Sequence, residues 1–195
     1  DRILAGAPAE QVLTNWGRAN RFAGSGDRHA LRDLVYDALR CKRSHGALGG
    51  GLTGRGLVLG GLRDRGIDPA GLFTGEGHAP AVVAPQEVGR VPVGAEALDC
   101  PDWLLGPLQA ALGGACDAVL QAMRARAPVF LRVNEAKVGT AAARAVLAEN
   151  GIATELTPIA KTALEVTENA RKVQTSRAYT EGLVELQDAA SQAVV

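Results

Sequence analysis

The sequence predicts a mainly α-helical N-terminal domain at residues 1–97, followed by a small α/β subdomain at residues 98–195. Apolar residues in the first half recur at i, i+3 and i+4, whereas several short runs in the second half alternate with polar residues. The region between them is interrupted by prolines, as domain boundaries often are, at Pro80, Pro85, Pro92 and Pro101. A chain of 195 residues is long enough for two small domains.

Charge and cysteine content exclude several classes of function. The chain has 21 basic and 21 acidic residues, so any RNA contact has to come from a local patch rather than a global basic field. Neither a zinc site nor a disulfide framework is indicated by the widely spaced Cys41, Cys100 and Cys116. We see no apolar run long enough for a bilayer and no signal peptide, and expect a soluble cytoplasmic protein with no metal and no membrane partner.

The first half contains three candidate helices. Residues 10–22 place Leu13 and Trp16 on one face, and residues 28–43 follow a clear helical template with Asp27 as a suitable N-cap. The third candidate, residues 55–65, ends at Gly66. These segments predict a helical layer without an obvious cofactor loop.

Basic residues cluster around the first two of these helices. Arg40, Lys42 and Arg43 complement the dipole at the C-terminal turn of the 28–43 helix, or they join Arg18 and Arg21 in a phosphate-binding patch. Both interpretations of this cluster stay open.

A small enzyme is the weakest interpretation of the first half. His78 lies in a glycine-rich loop, and neither it nor Cys41 has an orienting partner nearby in the sequence. The run Gly49–Gly51 lacks the preceding strand and the spacing that a dinucleotide-binding loop needs.

The second half alternates helices with short strands. Asp102 is a candidate N-cap for a helix that Gly113 and Gly114 divide, and Thr140 and Gly151 bracket a later helix. Strands are predicted at residues 128–134, 152–156, 163–166 and 183–187. Strands separated by a helix, with one face covered, predict a ferredoxin- or RRM-like sheet.

One face of the first strand carries Phe130, Arg132 and Asn134. Arginine suits RNA phosphates and asparagine suits base edges, and Lys137 adds positive charge nearby. The alternative is that Arg132 is solvated on a sheet edge and Asn134 ends the strand in an Asx turn. Residue types alone do not separate these interpretations.

The last stretch, residues 182–195, changes its pattern midway. Alternation as far as Leu186 predicts a half-buried strand, and polar residues at helical spacing then predict the start of a helix. This helix has nothing evident to pack on, which predicts a chain cut from something larger; a frayed terminal helix is the alternative. The polar residues are Gln187, Asp188, Ser191 and Gln192.

Four motifs in this order carry a family resemblance: Gly26-Asp-Arg-His-Ala-Leu-Arg-Asp-Leu-Val-Tyr-Asp-Ala-Leu-Arg40, Pro101-Asp-Trp-Leu104, Leu131-Arg-Val-Asn134 with Lys137, and Val184-Glu-Leu-Gln-Asp-Ala-Ala-Ser-Gln192. Across nearly its whole length the chain resembles the N-terminal part of the Fmu/Sun-type (RsmB-type) ribosomal RNA (cytosine-5)-methyltransferases. The resemblance implies a NusB-like helical RNA-binding domain and then a small RNA-binding subdomain.

In that family the Gln-Asp-x-x-Ser-Gln motif leads into a Rossmann-like domain that binds S-adenosylmethionine and carries two catalytic cysteines. The three cysteines of this chain match neither motif, so the resemblance implies that the catalytic domain and the cofactor belong to the full-length protein and not to this chain. We expect a buried structural role for these cysteines.

The resemblance implies small-subunit ribosomal RNA and the missing methyltransferase domain as partners. The expected RNA-binding residues are Arg132, Asn134, Lys137, Arg18, Arg21, Arg40, Lys42 and Arg43. Gln187, Asp188, Ser191 and Gln192 are expected at the junction with the catalytic domain. The alternative is a NusB-like protein-interaction module without RNA specificity of its own.

Overall fold

A computed structural model describes residues 1–194. The chain forms two compact units, Asp1–Arg126 and a second unit that begins at Ala127. The predicted boundary lies earlier, between residues 97 and 98, and stays a prediction. Contacts place the division later because Asp99 and Arg124 are both tied to the helical unit by buried hydrogen bonds, described below.

Helices build the first unit, as predicted. Two of them, α3 and α4, lie against each other along their length, and short 3₁₀ turns punctuate the long connection that follows α4. Residues 1–126 contain α1 Ala9–Ala19, α2 Ser25–Arg40, α3 Lys42–Gly49, α4 Gly54–Asp64, α5 Asp102–Leu112 and α6 Cys116–Met123.

Helix boundaries in this unit correct three expectations. The predicted helix 28–43 is broken at Cys41, which separates α2 from α3. Asp27 is the third residue of α2 rather than its N-cap, and its carboxylate accepts the N–H of Gly24 at 2.9 Å. Asp102 is not an N-cap either: it is the first residue of α5, and Pro101 is the N-cap residue.

Glycines allow α3 and α4 to touch through their backbones. A Cβ at Gly49 would lie 1.7 Å from the carbonyl oxygen of Gly56, and one at Gly60 would lie 1.8 Å from that of His45. No side chain fits at such distances, so this pair of helices requires glycine at both positions. The glycine content of the sequence is therefore a packing requirement here, and not a ligand-binding loop.

The connection after α4 is anchored by one ion pair. Arg55 of α4 donates to both carboxylate oxygens of Glu87, at 2.5 and 3.0 Å, and its guanidinium lies 4.7 Å from the ring centre of Phe73. Glu87 also accepts the N–H of Ala84 at 2.8 Å. The Arg55 guanidinium, then this N–H, lower the pKa of Glu87 to about 2.

We expect a Glu87→Gln variant to be less stable than the wild type at neutral pH. A carboxyl group whose pKa falls from 4.5 to about 2 on folding stabilises the fold above pH 4.5, and this contribution is lost as the pH drops towards 2. Thermal unfolding midpoints from pH 7 to 2 should therefore differ most at pH 7 and converge near pH 2. A difference that stays constant over this range would contradict the assignment.

Residues Asp102–Met123 form the one stretch within residues 1–194 that is long and apolar enough to cross a membrane, judged by length and composition only. This corrects the expectation that no such run exists. Gly113, with φ of 54°, interrupts the run and separates α5 from α6. The two helices share a small apolar cluster around Cys100, Cys116 and Leu120.

The second unit is an antiparallel sheet with helices and 3₁₀ turns in its connections. The strand order β2-β3-β1-β4, with α7 between β1 and β2, is the split βαβ arrangement of ferredoxin-like folds. The elements described from residue 127 to residue 194 are β1 Val129–Val133, α7 Thr140–Glu149, β2 Thr154–Leu156, β3 Ala163–Val166, the 3₁₀ helix Ala170–Thr175, α8 Arg177–Thr180, β4 Val184–Leu186 and α9 Ala189–Ala193.

The core of this unit lies on one face of the sheet. Leu131 pairs with Leu164 on β3 and with Leu186 on β4, and Val133 pairs with Val184. Alternation had predicted this inward face of β1. The fully buried members from the strands and connections are Leu131, Val133, Ala143, Leu147, Ile152, Leu164, Val173, Ala178 and Val184.

Helix α9 is not left without a packing surface. Asp188 caps it by accepting the N–H of Ala190 at 2.8 Å, and Ala189 is 1% exposed. The helix contacts β1 and β3. The expectation of an unpacked terminal helix is therefore wrong, because small alanine side chains let this short helix lie close to the strands.

Candidate RNA interface

Arg132 lies on a central strand, on the sheet face opposite the core. It is directly opposite Ala163 of β3 and Glu185 of β4, and its guanidinium forms an ion pair with Glu185. Its side chain is 46% exposed. The alternative of a cation solvated on a sheet edge does not describe it, since β1 has a neighbour on each side.

Three acidic residues of the strands lie on the same sheet face as Arg132. Glu155 of β2 pairs with Glu165 of β3, and Glu165 in turn pairs with Phe130. Directly paired residues share a face of an antiparallel sheet. At the paired strand positions within residues 127–194, this face carries one cation and three carboxylates, including Glu185, and this charge opposes a phosphate backbone.

Asn134 and Lys137 hold the turn that precedes β4. The side-chain amide of Asn134 donates to the carbonyl oxygen of Gly182 at 3.2 Å, and its backbone N–H donates to that of Leu183 at 2.9 Å. The ammonium of Lys137 donates to the carbonyl oxygen of Glu181 at 2.8 Å. The Asn134 side chain thus binds a residue 48 positions away in the sequence and does not form the alternative Asx turn. The RNA contacts of Asn134 and Lys137 stay predictions.

Gln192 joins three parts of the sheet. Its Nε2 donates to the carbonyl oxygens of Leu131 and Gln187, at 3.3 and 3.0 Å, and its Oε1 accepts the hydroxyl of Thr162 at 2.9 Å. One side chain from α9 therefore ties β1, the end of β4 and the start of β3 together.

The other three residues of the expected junction differ in their exposure. The Gln187 N–H donates to the carbonyl oxygen of Phe130 at 3.2 Å, while its Oε1 is buried without a hydrogen-bond partner among residues 1–194. Asp188 caps α9, and Ser191 is exposed. Whether they meet a catalytic domain stays a prediction.

Two of the three basic residues where α2 meets α3 form ion pairs within the helical unit. Arg40 forms an ion pair with Asp37, one turn earlier in α2. Arg43 donates to both oxygens of Asp102, at 2.9 and 3.0 Å. Lys42 is exposed. Of the two interpretations of this cluster, the structure supports a mainly intramolecular role for Arg40 and Arg43.

Arg18 and Arg21, at the end of α1 and just beyond it, are exposed. Neither side chain makes a hydrogen bond or ion pair with any residue in the described range 1–194. The described residues therefore leave both guanidinium groups accessible to an external partner.

The comparison with known families concerns the second half of the chain. Residues 100–174 match the family model "Methyltr_RsmF/B-like, ferredoxin-like domain". No curated protein gives a significant match to the chain. The match starts close to the predicted boundary at 97/98 and continues across the division between the compact units. It supports an N-terminal region of the Fmu/Sun type, and it confirms the fold predicted for the second half.

The described residues 1–194 lack the strand and glycine arrangement on which Rossmann-like S-adenosylmethionine sites are built. All strand pairs within residues 1–194 are antiparallel, and the runs at Gly49–Gly51 and Gly113–Gly114 follow helices rather than strands. Rossmann-like cofactor sites use a glycine-rich turn between a parallel strand and a helix. That this chain binds no cofactor stays a prediction.

The sequence pattern did not indicate the role of Asp99, whose buried carboxylate binds several groups of the helical unit. Its carboxylate accepts the backbone N–H groups of Arg43 and Ser44 at 2.8 and 2.9 Å, the Ser44 hydroxyl at 2.7 Å, and Nε of Arg124 at 2.9 Å. The Asp99 side chain is 5% exposed, and its backbone has a positive φ of 52°. Asp99 thereby caps the N-terminus of α3 from a distant segment.

The cysteines occupy structural positions, as predicted. Cys41, Cys100 and Cys116 are free and buried, with exposures of 7%, 2% and 2%. Burial raises the pKa of the Cys41 thiol, which keeps it protonated and unreactive at neutral pH. The nearby His45 is also buried, and this burial lowers its pKa. These properties disfavour a nucleophile at Cys41.

Proposed function

We propose that this chain is the RNA-binding and substrate-positioning region of an S-adenosylmethionine-dependent small-subunit ribosomal RNA (cytosine-5)-methyltransferase that acts in the cytoplasm. The observation that carries the proposal is the match of residues 100–174 to the RsmF/B-like ferredoxin-like domain, together with the βαβ topology of that region. The catalytic domain, its cofactor and its cysteines lie outside this chain in our proposal.

The chemistry of the target explains why such an enzyme needs an attached region of this kind. A methyltransferase acts on a base that is unstacked or already unpaired, and the catalytic groups alone do not choose one cytosine among many. Contacts to the flanking RNA backbone fix register and orientation. Because the whole chain is electrically neutral, local groups of free cations have to make these contacts.

Within the second unit, we assign to Asn134 and Lys137 the role of positioning the RNA relative to the catalytic domain. Both bind the turn before β4, and β4 leads directly into the segment that contains Gln187 and Gln192. Movement of RNA at the β1–α7 loop would thus be transmitted to the proposed junction with the catalytic domain. The exposed Ser191 and the unsatisfied Oε1 of Gln187 offer polar groups for that junction.

Arg132 has a weaker role in this proposal than its residue type suggests. Its charge is already neutralised by Glu185, and Glu155 and Glu165 lie on the same face. We expect Arg132→Gln to weaken RNA binding by less than about threefold, and Glu185→Gln to strengthen it, because removing a carboxylate lowers phosphate repulsion. A tenfold or greater loss (about 1.4 kcal/mol) in Arg132→Gln, with no effect of Glu185→Gln, would show direct phosphate contact.

The experiment that tests the function is retention of small-subunit rRNA. Overlapping transcripts that tile the molecule are passed over the immobilised chain at about physiological ionic strength. We expect preferential retention of one fragment over the others and over an antisense transcript of equal length. Retention of none, at low as well as at physiological salt, would contradict the proposal.

A protein-interaction module is the second candidate, and the apolar surface of α5 and α6 favours it. Trp103 and Met123 are 75% and 67% exposed, and Leu112 and Val119 are also partly exposed. Surfaces of this kind mark interaction sites. Capture of one defined protein after nuclease treatment, without any rRNA retention, would favour this function over RNA binding.

A further inference from the structure

A cleft of about 300 Å³ lies between α1 and α2. The Arg28 side chain of α2 lies beside Gly17 of α1: a Cβ at Gly17 would be 3.5 Å from Cδ and 3.7 Å from Nε of Arg28, which is ordinary van der Waals contact. Residues of both helices, Arg28 among them, line the cleft. The volume is at the lower end of the range for small-molecule sites.

Three guanidinium groups line this cleft, from Arg18, Arg28 and Arg32. Arg32 is bound to Glu10, whose carboxylate also accepts the hydroxyl of Tyr36 at 2.8 Å. The side chains of Arg18 and Arg28 make no hydrogen bond or ion pair with any other residue in the part of the chain that the structure describes. Two of the three cations are thus free for an anion.

Aromatic surface accompanies these cations. Trp16 lines the cleft and is partly exposed, and Phe22 in the α1–α2 connection is 85% exposed. Aromatic faces beside free guanidinium groups suit single-stranded nucleic acid, because bases stack on the rings while phosphates bind the cations. The carboxylates of an acidic peptide would bind the cations, but the peptide would gain little from stacking on Trp16.

We propose that the α1–α2 cleft binds one unpaired nucleotide of RNA, with its base against Trp16 and its phosphate between Arg18 and Arg28. This inference rests on the proposed RNA-binding function and adds to it a specific site. It places Trp16 and Arg28 in the RNA contact, neither of which the basic-residue pattern of the sequence had selected. It also explains why Arg18 is left unpaired in a unit where most arginines have carboxylate partners.

The test uses the whole chain carrying Trp103→Phe, which leaves Trp16 as its one tryptophan. Titration with a seven-nucleotide single-stranded RNA should quench the Trp16 emission. In the same background, Arg18→Glu with Arg28→Glu should weaken binding at least about tenfold and abolish the quench, because two phosphate contacts become repulsive. Arg2→Glu with Arg65→Glu, which changes the net charge equally outside the cleft, should weaken binding much less. Far-UV circular dichroism checks that each variant is folded.

The possible outcomes separate this inference from the function on which it rests. If RNA binding persists in the Arg18→Glu, Arg28→Glu variant and leaves the Trp16 emission unchanged, the nucleotide site in the cleft is overturned. The proposed RNA-binding function would still stand. Absence of RNA binding in every variant would overturn both. Equal quenching of Trp16 by a poly-glutamate peptide would reassign the cleft to an acidic protein partner.

Discussion

Replacing Asp99 by alanine is expected to lower the free energy of unfolding of the helical unit by about 3–5 kcal/mol. The substitution removes the closer carboxylate partner of the half-buried Arg124 guanidinium, which keeps only Asp64 at 3.4 Å, and it removes the acceptor of two backbone N–H groups at the start of α3. Such a loss is a large fraction of the stability of an ordinary domain.

Urea unfolding followed by tryptophan fluorescence measures this effect. Both tryptophans, Trp16 and Trp103, lie in the helical unit, so the signal reports on that unit alone. Asp99→Asn keeps one oxygen acceptor and should lose less, about 1–3 kcal/mol. Asp117→Ala, which removes an exposed carboxylate in the first turn of α6, is the matched control and should change stability by less than about 1 kcal/mol. Equal effects of Asp99→Ala and Asp117→Ala would contradict the stabilising role of the Asp99 carboxylate.

Gly60→Ala is also expected to be strongly destabilising, with a loss of about 3 kcal/mol or more in the free energy of unfolding. The added Cβ would lie 1.8 Å from the carbonyl oxygen of His45, so α3 and α4 have to separate along their contact. Backbone atoms cannot rotate away as a side chain can, and the loss of packing spreads along both helices. The same fluorescence-detected unfolding measures this loss.

Gly26→Ala is the matched control for this prediction. Gly26 is also helical, in the first turn of α2, and a Cβ there meets no atom within 4 Å. Alanine should stabilise the helix by about 0.5 kcal/mol through its higher propensity. If the two alanine variants behaved alike, the close contact between α3 and α4 would be disproved.

Local pattern was sufficient to predict most of the second unit. Strand β3 coincides with the predicted residues 163–166, and the inward face of β1 follows from the alternation of Leu131 and Val133. Helix α4 was also predicted to within one residue at each end. These elements are controlled by their own apolar periodicity, so no distant residue was needed to recognise them.

Long-range contacts explain what the pattern did not show. The break at Cys41 depends on Asp99, which caps α3 from 55 residues away in the sequence, and no local window contains both. The acidic character around Arg132 likewise requires the strand register, since Glu155, Glu165 and Glu185 belong to three different strands. Residue types alone made Arg132 a phosphate ligand, whereas the register gives it a carboxylate partner.

The most direct test of the account is a fluorescence-anisotropy titration of the chain with a small-subunit rRNA hairpin and with a scrambled RNA of equal length, at several salt concentrations. We expect tighter binding of the hairpin, with a modest salt dependence that reflects the few unpaired cations. Equal and steeply salt-dependent binding of both RNAs would contradict substrate positioning and leave only electrostatic attraction. Absence of binding to either RNA would contradict the RNA-binding function itself.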